Sequence, residues 1–276
     1  MRTPSWIEDY HRFVAGERVA RLDGWSVMLA AGDDAGKLLN SFCTADITKL
    51  AIGASCEAMF PNAKGKVLAF GWVGRTDEST YRVVLGSERA VELVAHLDRY
   101  VIREDVTLVG GDERLALTLR SDLADDATPL PAFGESAQLL WNSTSATPIA
   151  SDAVHAYRLE RRVPLDGTDV DERNLPQEVD RCATAISFTK GCYLGQETVA
   201  RIDAVGRVNQ QLRLLRIDGE ASAGDELTVD DKVVGRLTSV SWSPQYESLI
   251  GLGYVRRELA KQGDEVWIDS TRVTLI

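Results

Sequence analysis

The chain is short of cysteine and histidine. Its four cysteines, Cys43, Cys56, Cys182 and Cys192, are widely spaced and form no Cys-x-x-Cys pair. That excludes a zinc-finger pattern and a disulfide framework. Only three histidines are present, His11, His96 and His155, none close to Cys192 in sequence. A Cys–His hydrolase or metalloenzyme would have to assemble its pair in three dimensions, which makes those readings weak. No run of about 18 apolar residues exists, so no membrane span is expected. The acidic, aromatic first ten residues lack the apolar stretch of a signal peptide. Positive charge is also scarce: 31 Lys and Arg stand against 42 Asp and Glu, a net charge of -11. That argues against direct binding of nucleic acid over a broad surface. A local basic pocket for a small anion remains open, with Lys64, Lys66, Arg75, Lys190, Arg201 and Arg207 to supply it. There is no phosphate loop and no dinucleotide fingerprint. These absences predict a cytoplasmic protein in a reducing setting, with no membrane contact.

At 276 residues, 44% hydrophobic and 26% charged, the chain has the make-up of an ordinary globular protein with a sizeable core. Ser5-Trp6-Ile7-Glu8 has the form of a capping box. Trp6, Ile7, Tyr10, Phe13 and Val14 then recur at helical spacing and predict an opening helix with a core-facing aromatic stripe. Segments 19–22 and 25–29 flank Asp23-Gly24, a hairpin signal. Asp33 is read as the cap of a helix through Phe42. Residues 54–60 and 67–73 read as two strands joined by the turn Pro61-Asn62-Ala63-Lys64-Gly65-Lys66. A strand at 81–85 follows, then a helix capped by Ser87 with Val91, Val94 and Leu97 as its apolar residues. Strands are expected at 106–109 and 115–119, around Gly110-Gly111-Asp112.

Residues 121–150, with Asp125-Asp126, two prolines and a Ser/Thr-rich run at 143–147, read as a loop-rich crossing containing one strand at 138–141. A helix is expected at 152–161 and an irregular polar stretch at 163–178. After Gly206 the pattern changes to short strands at 212–217, 226–229, 233–242, 250–255 and 266–268, punctuated by glycine. That spacing predicts a small β-barrel or sandwich. The expected domains are therefore 1–205, an α+β region, and 206–276, a β-barrel.

One stretch stands out: Lys190-Gly191-Cys192-Tyr193-Leu194-Gly195-Gln196-Glu197. It sets a cysteine between two glycines, whose backbones can enter conformations other residues avoid. Residues from Gln196 onward suit a short helix. A helix N-terminus and Lys190 nearby would both favour the thiolate of Cys192. The competing reading is that a free cysteine is more often a small buried hydrophobe.

This stretch resembles the signature of the YgfZ family of folate-binding proteins, within the larger group around the T-protein of the glycine cleavage system. Other segments are similar in order along the chain: Asp33-Asp34-Ala35 with Leu38-Leu39, the turn Asn62-Ala63-Lys64-Gly65-Lys66, Arg158-Leu159-Glu160 with Pro164, Leu175-Pro176-Gln177-Glu178, and Gly235-Arg236-Leu237-Thr238-Ser239. The resemblance implies a three-module ring: two interleaved α+β modules and a C-terminal β-barrel. It implies tetrahydrofolate as cofactor. A flat pteridine asks for a carboxylate and apolar walls, and its glutamate tail for cations. On that basis Glu160, Tyr157, Met59, Asn62, Lys64 and Gln196 are the expected folate-binding residues. Without the resemblance, Glu160 reads as a solvated helix residue and Lys64 as an ordinary hairpin tip.

Two departures from the T-protein pattern bear on activity. Ala69 stands where T-proteins carry an aspartate, and alanine cannot accept or donate a proton. Gln196 stands where T-proteins carry an arginine, and Cys192-Tyr193 replaces an Asp-Phe pair. These changes point to the YgfZ branch. That branch implies an accessory factor for iron–sulfur proteins, tRNA-modifying enzymes among them, with client proteins or assembly factors as partners. In this reading Cys192 is the reactive thiol and a transient iron–sulfur cluster ligand, Lys190 assists it, and the protein is a monomer. A cluster normally needs several ligands, so a second chain would have to contribute. The alternatives are a folate-dependent aminomethyltransferase of the T-protein type, or a non-catalytic folate- or RNA-binding scaffold.

Overall fold

A computed structural model of the chain describes residues 5–111, 113–120, 122, 127–142 and 149–276. Asp112, Asp125-Asp126 and the 143–147 run lie outside the described residues. The helices are α1 (Ile7–Val14), α2 (Ala35–Phe42), α3 (Ala90–Leu97), α4 (Ser151–Glu160), α5 (Cys182–Ala185) and α6 (Gln196–Val205). The strands of the first region are β1 (Ala20–Arg21), β2 (Ser26–Ala31), β3 (Ser55–Pro61), β4 (Val67–Arg75), β5 (Thr80–Leu85), β6 (Thr107–Gly111), β7 (Leu115–Thr118), β8 (Thr128–Pro129) and β9 (Gln138–Trp141). Those of the second are β10 (Gln210–Ile217), β11 (Glu226–Val229), β12 (Lys232–Ser243), β13 (Ser248–Arg256), β14 (Glu265–Ile268) and β15 (Thr271–Leu275).

Two antiparallel sheets build the first region. One has the order β3-β4-β5-β2-β6 and the other β1-β7-β9-β8. The chain leaves the second sheet after β1, completes the first, and returns at β7, so the two modules interleave. Asp23-Gly24 does not close a hairpin, in contrast to the sequence expectation. Its flanking strands enter different sheets, β1 on β7 and β2 between β5 and β6. The Gly24 turn (φ +77°) redirects the chain, and Trp25 is then drawn onto Trp72, their rings stacked at 5.4 Å. Burying two indoles together outweighs pairing two short strands.

The expected helix caps also differ. Ser5 does not cap α1, whose first turn is preceded by Trp6, and Glu8 pairs with Arg12 instead. Ser87 does not cap α3. Its hydroxyl donates to Asp166, while the Ala90 N–H is met by Ser26 Oγ. Asp34, not Asp33, precedes α2, and its carboxylate accepts from the Asp105 N–H. Val91 lies on the solvent face of α3, which packs through Ala90, Leu93 and Leu97.

The second region is a closed barrel of order β10-β13-β12-β11-β14-β15. Closure comes from β15 pairing with both β14 and β10. β15 is absent from the sequence reading because Thr271, Arg272 and Thr274 leave only Val273 and Leu275 as an alternating apolar signal. Inside the barrel lie Leu215, Ile217, Leu227, Leu237, Val255, Val266 and Val273. Its outer residues Leu212, Leu214, Ile250, Leu252 and Tyr254 join the main core with α4, Trp25, Trp72 and Phe133. The barrel thus packs on α4 as part of one continuous core.

Candidate functional site

Cys192 is the one exposed cysteine of the four. Its neighbours hold it there. Lys190 is buried, and its Nζ donates to the carbonyls of Asn40 (2.6 Å), Cys43 (2.9 Å) and Ala45 (2.5 Å). An ammonium has three donors, so all are occupied. They satisfy carbonyls at and just beyond the C-terminal end of α2, where a cation also suits the helix dipole. Burial pushes the Lys190 pKa down. On the other side of Cys192, Tyr193 is buried against Ile186 and Val199, and the Leu194 N–H donates to Ser41 O (2.9 Å). The sequence expectation sets Lys190 near the thiol to favour its thiolate, and the structure gives this lysine an anchoring role. Its ammonium is fully engaged with carbonyls.

The two glycines differ. Gly195 has φ +79°, and a Cβ there would stand 2.4 Å from Asn62 O and 3.0 Å from Gly65 Cα. Gly191 has open space around it. The signature loop therefore packs backbone to backbone on the β3–β4 turn, and α6 begins directly after, at Gln196. In that turn Asn62 Oδ1 accepts the N–H groups of Lys64 (2.9 Å) and Lys66 (3.1 Å). Lys64 is exposed, and Lys66 Nζ donates to Arg173 O (2.7 Å). Two motifs 130 residues apart in sequence thus meet at one surface, which carries Cys192 and Lys64.

The remaining expected folate-binding residues lie elsewhere. Glu160 is buried, and both its oxygens are engaged. Tyr10 donates to Oε2 (2.5 Å), and Ser243 Oγ and the Gln245 N–H donate to Oε1. Tyr157 donates to Phe133 O (2.6 Å) and packs edge-on against Phe13. Met59 is core, with its N–H bonded to Thr44 Oγ1. These side chains do not converge with Asn62, Lys64 and Gln196 on any of the four cavities described here, and Cys192 lines none of them. Glu160 is instead a stitch between α1, α4 and the barrel.

A cavity of about 420 Å³ opens where α4 meets the barrel and the start of β2. Its apolar walls are Trp25, Phe133, Leu165 and Val240, and Asp23, Asp152, His155 and Arg158 supply polar groups. Arg158 is buried and donates to Asp169 (2.8 Å), Ser239 Oγ (2.7 Å), Val163 O (3.0 Å) and His155 Nδ1 (3.2 Å). His155 Nε2–H donates to Val240 O (3.2 Å) while Nδ1 accepts from Arg158, so the ring is neutral. Burial and then the adjacent guanidinium hold its pKa down at about 4. A flat heterocycle fits such walls, and the size lies in the small-molecule range of about 300–1,000 Å³. Asp23 and Asp152 fit ring N–H donors. The sequence reading missed Trp25, Phe133 and His155. The only signal was the tryptophan directly after Asp23-Gly24.

Among the described residues, no group of three or more His, Cys, Asp or Glu side chains could hold a metal ion. No helix among them is long and apolar enough to cross a membrane.

An interleaved two-sheet region followed by a closed barrel is the architecture of the glycine-cleavage T-protein. Aminomethyltransferase T from Bartonella henselae superposes with a TM-score of 0.83 over 97% of this chain and 87% of its own, at 15% identity. Residues 210–275 match the glycine cleavage T-protein C-terminal barrel domain. The tRNA-modifying protein YgfZ of Klebsiella pneumoniae is 28% identical over 75% of this chain and 74% of its own length. A putative chloroplastic transferase of Arabidopsis thaliana is 24% identical over 93% and 69%. The chain thus has the fold of the T-proteins, carries their C-terminal barrel domain, and is similar over most of its length to YgfZ.

Proposed function

We propose that the protein is a tetrahydrofolate-binding accessory factor that supports the maturation or repair of iron–sulfur proteins, tRNA-modifying enzymes among them, and acts through Cys192 in the cytoplasm. The observation that carries this reading is the single exposed thiol, fixed on both flanks by Lys190 and Tyr193–Gly195. Rigid flanks present the sulfur to a partner without ordering cost at the moment of contact. Ala69 is buried and brings no proton-transfer group, which speaks against aminomethyl transfer by the T-protein route. A cluster would be cargo, held jointly by Cys192 and ligands of a client or assembly protein.

The fitting place for the pteridine is the cavity walled by Trp25 and Phe133, not the neighbourhood of Glu160. Bound tetrahydrofolate supplies one-carbon chemistry. The chain's own residues orient the ring, with Asp23 and Asp152 as acceptors, and keep His155 neutral beside it.

The test is complementation of a strain lacking the gene, with wild type or Cys192→Ser, scored by the activity of an iron–sulfur-dependent tRNA thiolation enzyme. Loss of rescue with normal protein levels supports the reading. Full rescue by the serine variant overturns the role of the thiol. Calorimetric titration of tetrahydrofolate into wild type and Trp25→Leu tests the cavity. Equal affinity in both removes the pteridine from it.

A further inference from the structure

A second cleft, of about 360 Å³, lies between the 168–174 loop and the barrel strands β12 and β13. Three arginines line it, Arg173, Arg236 and Arg256, together with Asp169 and the polar groups of Thr168 and Asn174. Asp169 does not neutralise them. Its carboxylate accepts from Arg158, the Leu165 N–H, Thr238 and Ser239. The other cavities contrast with this. The Trp25 cavity has Arg21 and Arg158 against Asp23 and Asp152. The cavity beside Ala69 has Arg89 and Arg99 against Glu92 and Glu172. The one at the barrel end holds Asp225, Glu226, Asp231 and Asp269 with no cation. A cleft with excess positive charge in a chain of net charge -11 concentrates the field locally.

The register sharpens the point. Arg236 pairs with Tyr254 across β12 and β13, and Arg256 is two residues further along β13. The two arginines are therefore diagonal neighbours on one face, at a Cα spacing of roughly 7–8 Å. Like charges so placed repel unless an acid stands between them. None does. Among the described residues the Arg236 side chain makes one hydrogen bond, from Nε to Gly224 O (3.0 Å). Arg256 has no ion pair and no side-chain hydrogen bond among the described residues. Among the described residues the Arg173 side chain is held only by Asp171, two residues away, and it is 79% exposed. Guanidinium groups offer forked donors suited to carboxylate and phosphate oxygens.

We propose that this cleft binds a small multivalent oxyanion, a phosphorylated or polycarboxylate metabolite, bridged by Arg236 and Arg256 with Arg173 at its rim. The proposal does not rest on the folate reading, since it concerns a different cleft and anions that carry no pteridine.

The experiment is calorimetric titration of the full chain with pyrophosphate and, separately, with citrate, at ionic strength fixed with chloride. Binding of both anions assigns a general oxyanion site, and binding of one alone identifies its chemistry. Arg236→Gln/Arg256→Gln is expected to weaken binding at least about tenfold, while Lys261→Gln, at an exposed cation that does not line the cleft, leaves it unchanged. Arg256→Glu gives a second readout. It supplies the missing acid, so it should raise Tm in the absence of ligand and abolish anion binding. The proposal is overturned if neither anion binds at millimolar concentration, if the double variant binds as wild type does, or if Arg256→Glu lowers Tm and still binds.

Discussion

Of the four thiols, three are shielded, each by its own surroundings. Burial pushes the Cys43 thiol up to about 11 and the Cys56 thiol up to about 12, and it also raises Cys182. A thiol that resists ionisation is a poor nucleophile. Cys192 alone is exposed. A disulfide reagent such as dithionitrobenzoate added to native protein at pH 8 should therefore label one equivalent quickly, and Cys192→Ser should lose that phase. A second fast equivalent in wild type would contradict this assignment. The same scale holds the clearest pH effect. His155 is neutral in the fold, with its pKa lowered from 6.5 to about 4 by burial and by Arg158, while Asp152 and Asp169 pull it up more weakly. Between those two values the unfolded chain binds the extra proton. Stability from this residue is therefore complete above pH 6.5 and lost as the pH falls towards 4, by roughly 3 kcal/mol at most. Wild type should lose Tm more steeply than His155→Gln across that window. Parallel profiles would show that the ring titrates normally.

At the scale of elements, the sequence told strands from helices well but not which strands pair. Segments 138–141 and 226–229 carry strand signals that the structure bears out as β9 and β11. The pairing of β1 with β7 was hidden, because it depends on Trp25 stacking on Trp72, 47 residues away. The helix caps differ for a related reason: Ser87 turns to Asp166, and at α2 the expected Asp33 and the residue that in fact precedes the helix, Asp34, both engage Asp105. Glycine at the signature loop was legible as important, but the two glycines do unequal things. Gly195→Ala forces a side chain into φ +79° and against Asn62 O. The backbone strain alone should cost roughly 1–3 kcal/mol. Gly191→Ala meets open space and should stay within about 0.5 kcal/mol of wild type. Urea denaturation of the two variants measures the difference. Equal losses would mean that the loop does not press on the β3–β4 turn.

At the scale of the whole molecule, Glu160 separates what motif and structure say. Its place in Arg158-Leu159-Glu160 marks it as a ligand carboxylate, and no local feature of sequence reveals that Tyr10, 150 residues earlier, and Ser243, 83 residues later, occupy its oxygens. The side chain ties α1, α4 and the barrel at one point beside the main core. Replacing it with glutamine keeps the shape but puts an amide N–H₂ where one of those donors now finds an acceptor. Leaving a buried donor unmet costs about 1–3 kcal/mol, so Glu160→Gln should unfold at lower urea. If the pteridine lies in the Trp25–Phe133 cavity, tetrahydrofolate affinity measured well below the new Tm should change by less than about twofold, an effect of under 0.5 kcal/mol. A loss of tenfold or more with unchanged stability would reverse the assignment. It would return Glu160 to the ligand and require Tyr10 and Ser243 to release it on binding.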